Sequence, residues 1–150
     1  MTEKYKILKE YENNLVLLMN ILSSGTTDNN QLQSIGMYLF NSVKEKPFIG
    51  VFSADKMPIL KNNEMCIVNT DDKAGVHWIA CYKYKNKTYC YDSFDRDVKS
   101  LSLHWKNKHN WVNANTDVDQ SNGESNCGQR SCAWLISAKL HTPLKVMSII

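Results

Sequence analysis

The sequence predicts a single α+β domain led by a pair of helices, and three observations carry that expectation. Apolar residues recur every three or four positions near the N-terminus, short aromatic and β-branched runs fill the middle, and a nearly all-apolar stretch follows Cys127. The 150 residues, 43% hydrophobic and 22% charged, suffice for one core and not for two comfortable domains. No internal repeat, low-complexity segment or linker divides the chain. With 10% aromatic residues and only 6 Gly and 3 Pro, the composition excludes wholesale disorder and collagen-like repeats.

The first helix is read between Tyr5 and Leu22, where Ile7, Leu8, Tyr11, Leu15, Leu18, Met19 and Leu22 share one stripe. Ser23-Ser24-Gly25-Thr26-Thr27 breaks it. Asp28 with Gln31 three residues later resembles a capping box opening a second helix through Leu32, Ile35, Leu39, Phe40 and Val43. After Pro47 the texture changes. Phe48 to Phe52 and Met65 to Val68 read as buried strands, separated by a polar loop with Pro58 and Asn62-Asn63. Val76 to Tyr84 and Lys87 to Asp92 read as a hairpin turning at Lys85-Asn86, although Lys-Asn is not the favoured Asn-Gly. Val98, Leu101 and Trp105 suggest a short surface helix between Asp95 and His109, and Trp111 to Val118 a further strand. Cys132, Trp134, Leu135, Ile136, Ala138 and Leu140 make a buried helix from Cys127 that Pro143 stops.

The longest apolar run, Leu15 to Met19, is far short of the roughly 20 residues that cross a bilayer, so no membrane association is expected. The first 14 residues lack the pattern of a secretory leader, and an intracellular location follows as the expectation. Five cysteines without a Cys-x-x-Cys pair form neither a disulfide framework nor a zinc site; reduced thiols are expected, with no metal and no cofactor. The net charge of +3 permits weak attraction to polyanions and does not demonstrate nucleic-acid binding.

Chemistry enters through the hairpin. If Lys85 and Asn86 form the turn, opposed residue numbers sum to 171, so Asp92 faces Ile79 and lies diagonal to His77 on the same face. A carboxylate and an imidazole then meet; a slip of one residue would separate them. Cys127 sits at the start of a helix, where the macrodipole and unpaired N–H groups favour thiolate over thiol. His77 would take its proton and Asp92 would orient the ring. Asp119-Gln120 precedes the cysteine across a polar, turn-prone loop, and the Gln120 amide can join the Cys127 N–H as an oxyanion hole. Gly128 would let backbone and substrate approach closely, and Trp78 adjoins the base. Taken singly, each residue has a structural reading: a small buried cysteine, a hydrogen-bonded sheet histidine, a turn aspartate, a loop glutamine, a packing tryptophan. Cys66, Cys81, Cys90 and Cys132 are assigned to the core, and His104, His109 and His141 carry no role.

Joined, Gly75-Val76-His77-Trp78, Tyr91-Asp92-Ser93-Phe94, and Asp119-Gln120 separated by six residues from Cys127-Gly128 resemble the adenain clan of cysteine proteases. That clan includes the adenovirus maturation protease, related proteases of large DNA viruses and virophages, and deconjugating proteases of ubiquitin-like modifiers. Pro47-Phe48-Ile49-Gly50 and Cys66-Ile67-Val68-Asn69-Thr70 are similar to the adenovirus branch in particular. The resemblance spans about Pro47 to Leu140. It implies a mixed sheet packed between helices, residues 1–44 forming N-terminal helices and 45–140 a catalytic core. It further implies His77 as base, Asp92 as orienting acid, Gln120 in the oxyanion hole, Cys127 as nucleophile, and Trp78 and Gly128 beside the substrate. The implied activity is an endopeptidase that cuts capsid or scaffold precursors near Gly-Gly or Gly-x-Gly in an infected cell, in the virus factory or nucleus, and is packaged in the virion. Only 23 residues follow Cys127, fewer than in the adenovirus enzyme, and the N-terminal helix is expected to cover the surface that a longer tail would bury. No cysteine lies between Cys90 and Cys127 to match a disulfide-linked activator. A deconjugase for a ubiquitin-like modifier, an acyltransferase, and an inactive binding module of the same fold are the alternatives.

Overall fold

A computed structural model describes residues 2–70, 77–97, 110–115, 119 and 124–150. Helix α1 runs from Glu3 to Leu22 and α2 from Asn29 to Phe40. Strands β1 (Phe48–Ser53), β2 (Met65–Asn69), β3 (Trp78–Tyr84), β4 (Lys87–Tyr91) and β5 (Trp111–Asn113) follow, then α3 (Cys127–His141) and the short α4 (Pro143–Val146). The strands form one mixed sheet in sequence order: β1 is parallel to β2, the β2–β3 and β3–β4 pairs are antiparallel, and β4 is parallel to β5.

The expected stripe of α1 is the face that packs: Ile7, Tyr11, Leu15 and Leu18 are buried, and Met19 and Leu22 lie against the core. The capping box at Asp28 is complete, Gln31 N–H donating to Asp28 Oδ1 at 2.8 Å and Asp28 N–H to Gln31 Oε1 at 3.0 Å. Helix α2 stops sooner than the sequence predicts, because Asn41 turns its amide onto Phe48, accepting from Phe48 N–H and donating to its carbonyl, both at 2.9 Å. Val43, expected on the helix, lies beyond it and is 98% exposed. Gly50, at φ +138°, follows a register irregularity in β1, and the next amide, Val51 N–H, donates to Gln33 Oε1 of α2 at 2.8 Å.

The hairpin has the expected register, Ala80 opposite Tyr91 and Tyr84 opposite Lys87. Lys85 and Asn86 both take positive φ, 49° and 66°, the twist that a two-residue hairpin needs. A Lys at such an angle is disfavoured, and the turn is held from outside: Asn86 N–H donates to Asn62 Oδ1 at 2.8 Å, and the Asn62 amide donates to Asn86 Oδ1 at 3.0 Å. β5 is shorter than the Trp111 to Val118 expectation among the described residues, since Ala114 and Asn115 leave the strand and 116–118 lie outside them. The expected surface helix also falls largely outside the described residues, which omit 98–109.

Alternation along the strands divides the interior into two clusters. Met65, Ile67, Ala80, Tyr82, Tyr89 and Tyr91 face one side with α1, α2, α3 and α4. Cys66, Val68, Ile79, Cys81 and Cys90 face the other, where Ala54, Leu60, Phe52 and Met57 cover them. All four described α-helices therefore pack on one face; on the opposite face, where a sheet packed between helices would carry another, the described residues place only the single 3-10 turn Ala54–Lys56. Cys66, Cys81 and Cys90 stand directly opposite one another on three adjacent strands, and these thiols, like Cys132, are buried and free, as assigned to the core. None of the described helices is long and apolar enough to cross a membrane.

Helix α1 packs along α3, and the carbonyls of Ser23 and Gly25 accept from the buried Gln129 amide at 2.7 and 2.8 Å. The N-terminal helix thus covers one face of α3. Deleting residues 2–27 should yield insoluble or non-cooperatively melting protein, since four buried apolar side chains worth about 1.5–3 kcal/mol each would go with it. Leu15→Ala, the milder change, should cost about 2–5 kcal/mol in urea denaturation. Unchanged solubility and melting of the deletion would refute the role.

Candidate active site

Three of the four residues expected to be catalytic, His77, Asp92 and Cys127, converge at one end of the sheet. His77 lies one residue ahead of β3, and Asp92 one residue past β4, so the hairpin register sets them side by side. Imidazole Nε2 is 2.7 Å from Asp92 Oδ1. Cys127 is the first residue of α3, and its side chain acts on the imidazole, raising the pKa of the ring. Because Nε2 is engaged by the carboxylate, Nδ1 is the nitrogen left for the sulfur. All three residues are buried, at 7%, 2% and 5% exposure.

Helix α3 docks on β3 through backbone bonds to Trp78. Trp78 N–H donates to Cys127 Sγ at 3.4 Å, and Ser131 Oγ donates to the Trp78 carbonyl at 3.2 Å. The N-cap Asn126 does not cap the helix with its side chain. It turns instead to Glu124 Oε2 at 3.0 Å and accepts from Arg130 Nε at 3.1 Å. The indole of Trp78 is packed inside, its Nε1–H donating to the Thr27 carbonyl at 3.1 Å. One edge also lines a groove of about 260 Å³ with Asp28, Asn29, Val51, Phe52, Ser53 and Asn69. Gly128 is buried facing the α1–α2 connection, and a Cβ there would collide with Thr27 Oγ1 and crowd Leu32. Its missing side chain thus serves the docking of α3 against that connection. Gln120 lies outside the described residues.

The acid is held by more groups than the sequence singled out. Asp92 Oδ1 also accepts from Phe94 N–H at 2.9 Å, closing an Asx turn, and Oδ2 accepts from Arg96 Nε at 2.8 Å. Asn115, just past β5, accepts from Asp92 N–H at 3.2 Å and donates to Asp95 Oδ1. Beside the acid, Tyr91 OH donates to Asp119 Oδ2 at 2.5 Å and meets Tyr11 OH at 3.0 Å. Arg130 links Tyr11 to Glu124, at 3.3 and 3.2 Å. Asp119 and Glu124, the described residues on either side of 120–123, are thus both tied to the core. Arg96 and Asn115 carried no motif, and Tyr91 entered only as the residue before the acid in Tyr91-Asp92-Ser93-Phe94; the one signal for Arg96 was that it follows Asp92 by four residues.

Burial pushes the His77 imidazole toward its neutral form, but the bonds to Asp92 and Cys127 outweigh it and leave the pKa above the ordinary value. Burial likewise opposes ionisation of Asp92, while the bond from His77, with Phe94 N–H and Arg96, holds its carboxyl below the usual range. Burial pushes Cys66, Cys81 and Cys90 up, and Cys132 up to about 12, so these four stay protonated. Among the described residues no group of His, Cys, Asp and Glu is arranged to hold a metal ion.

The chemistry this geometry allows is proton transfer from sulfur to an imidazole steadied by a carboxylate. It also sets a pH dependence of stability. A raised His77 pKa contributes in full below its unfolded value near pH 6.5 and is lost as pH rises through the folded value. A depressed Asp92 pKa contributes in full above about pH 4 and is lost as pH falls through its folded value. Asp92→Asn should therefore lower the melting temperature most between about pH 4 and 6.5, and the gap to wild type should narrow on either side. A gap independent of pH would refute the coupling.

Compared with known proteins, the chain matches no family model, no curated protein and no solved structure.

Proposed function

We propose that this protein is a cysteine endopeptidase with Cys127 as nucleophile, His77 as general base and acid, and Asp92 as the orienting acid. The observation that carries the reading is the His77 ring held at 2.7 Å by a buried carboxylate, with the Cys127 side chain at the start of α3 acting on the same ring. A histidine and an aspartate paired for packing alone have no need of a thiol on the ring's other side at a helix N-terminus.

In the proposed reaction the imidazole takes the thiol proton, and the sulfur attacks the scissile carbonyl. The charge on the tetrahedral oxygen falls to the N–H of Cys127 and, by the resemblance, to the Gln120 amide. As the C–N bond breaks, His77 returns its proton to the leaving amine, and a thioacyl-enzyme remains. Water, deprotonated by the same imidazole, then cleaves the thioester and restores the thiol. Asp92 holds the ring by Nε2 and favours its charged form. The Trp78 N–H directed at Sγ stabilises negative charge there.

The substrate rests on motif order alone. It points to capsid or scaffold precursors cut near Gly-Gly or Gly-x-Gly during virion maturation, and so to a virus-infected cell and the virion as the places of action. Deconjugation of a ubiquitin-like modifier uses the same chemistry and is separated by substrate.

Iodoacetamide should label one thiol, because burial in the core pushes the other four up and keeps them protonated, whereas Cys127 has the His77 imidazole as a proton acceptor. Cys127→Ala should abolish labelling and His77→Ala should slow it at least about tenfold. On Gly-Gly-containing precursor peptides, Cys127→Ala should remove detectable turnover and Gln120→Ala should cost on the order of 10²–10³ in kcat. Equal labelling of all three proteins would overturn the assignment, and turnover confined to ubiquitin-like precursors would move the substrate to the deconjugase class.

A further inference from the structure

The turn after β4 does more than end the strand. Asp92 carries two cationic neighbours on its two oxygens: His77 Nε2 on Oδ1 at 2.7 Å and Arg96 Nε on Oδ2 at 2.8 Å. The carboxylate is almost wholly buried, whereas the Arg96 side chain is 44% exposed. Between the cations lies Phe94, its ring 5.2 Å from the imidazole centroid and 5.9 Å from the guanidinium carbon. Asp95, in the left-handed region at φ 58°, returns its N–H to the Asp92 carbonyl at 2.9 Å and so brings Arg96 back over the acid.

We propose that Arg96 is a positioning residue of this site: its guanidinium shares the Asp92 carboxylate with His77, fixing the carboxylate's rotation and tempering the negative charge that the imidazole feels. The proposal rests on the reading of His77 as proton carrier.

The physical need is specific. A buried carboxylate facing an imidazolium alone would hold the ring's proton tightly, yet the reaction requires that proton to leave for the amine. An arginine on the far oxygen withdraws part of that charge without breaking the inner bond, and its Nε–H on Oδ2, with the Phe94 N–H on Oδ1, opposes rotation of the carboxylate. The charged and titratable groups facing the imidazole are Asp92 and Arg96 from the turn and Cys127 from α3. The Cys90 thiol lies near Asp92 on β4 and stays protonated. Asn115, the neighbour after β5, is neutral. Arg96 acts on the ring as a repelling charge, opposite in sign to Asp92.

The test uses the full chain with Arg96→Gln, which keeps a donor and drops the charge, and Arg96→Lys, which keeps the charge. The readout is the NMR titration of the His77 ring, assigned by its loss in His77→Ala, so it needs no cleavable substrate. In Arg96→Gln the His77 midpoint should rise by about half to one pH unit, while Arg96→Lys should stay close to wild type. The rise should shrink as salt goes from about 0.05 to 0.5 M, because the guanidinium is partly solvated. An unchanged or lowered midpoint in Arg96→Gln would overturn the proposal, as would an equal rise in Arg96→Lys. A shift in the expected direction in a protein that cleaves nothing would leave Arg96's role intact and reject the endopeptidase reading instead.

Discussion

The register of the β3–β4 hairpin is the constraint on which the site depends. His77 and Asp92 lie outside the strands, yet each is fixed by the strand it adjoins, and the pairing of Ala80 with Tyr91 sets Asp92 across from Ile79 and diagonal to His77. A slip by a single residue would turn Asp92 away and strand a buried carboxylate among apolar neighbours. The Asn62–Asn86 amide pair, far from the thiol, therefore bears on the chemistry: it secures an unfavourable Lys-Asn turn and, through it, the register.

The second requirement is the docking of α3. Trp78 is gripped from both sides of its peptide unit, by Sγ of Cys127 and Oγ of Ser131, so the helix that carries the sulfur cannot slide along the strand that leads from the imidazole. Gly128 and the Ser23–Thr27 connection complete this seat, since only a residue without a side chain fits against Thr27. The proposed nucleophile and base thus come from separate elements, each held by contacts that serve packing first.

Local patterns were legible in the sequence wherever one element determined them. The stripe of α1, the capping box of α2 and the hairpin pairing follow from spacing, capping and turn length, all properties of contiguous residues. Helix α2 stopped short of Val43 because Asn41 bonds to Phe48, a contact that exists only once β1 is in place. The short helix after Pro143 starts from Thr142, whose side chain accepts from Lys145 N–H, a cue too brief to stand out against the proline stop. At the site, residue types and order sufficed to single out His77, Asp92 and Cys127. Arg96 and Asn115 were invisible because their importance lies in which oxygen or amide they meet, and pattern carries no such information. Trp78 and Gly128 were noticed for substrate contact, and their described contacts are structural.

The bond from Gln129 to the Ser23 carbonyl joins residues 106 apart in the chain. Such a closure brings its reward only after most of the polypeptide has been made, which makes assembly slow and concerted compared with a fold of local contacts. A copy in which that closure is missing lacks the seat of α3 on the α1–α2 connection, so any reactivity of the kind proposed for the thiol would come only with the finished interior.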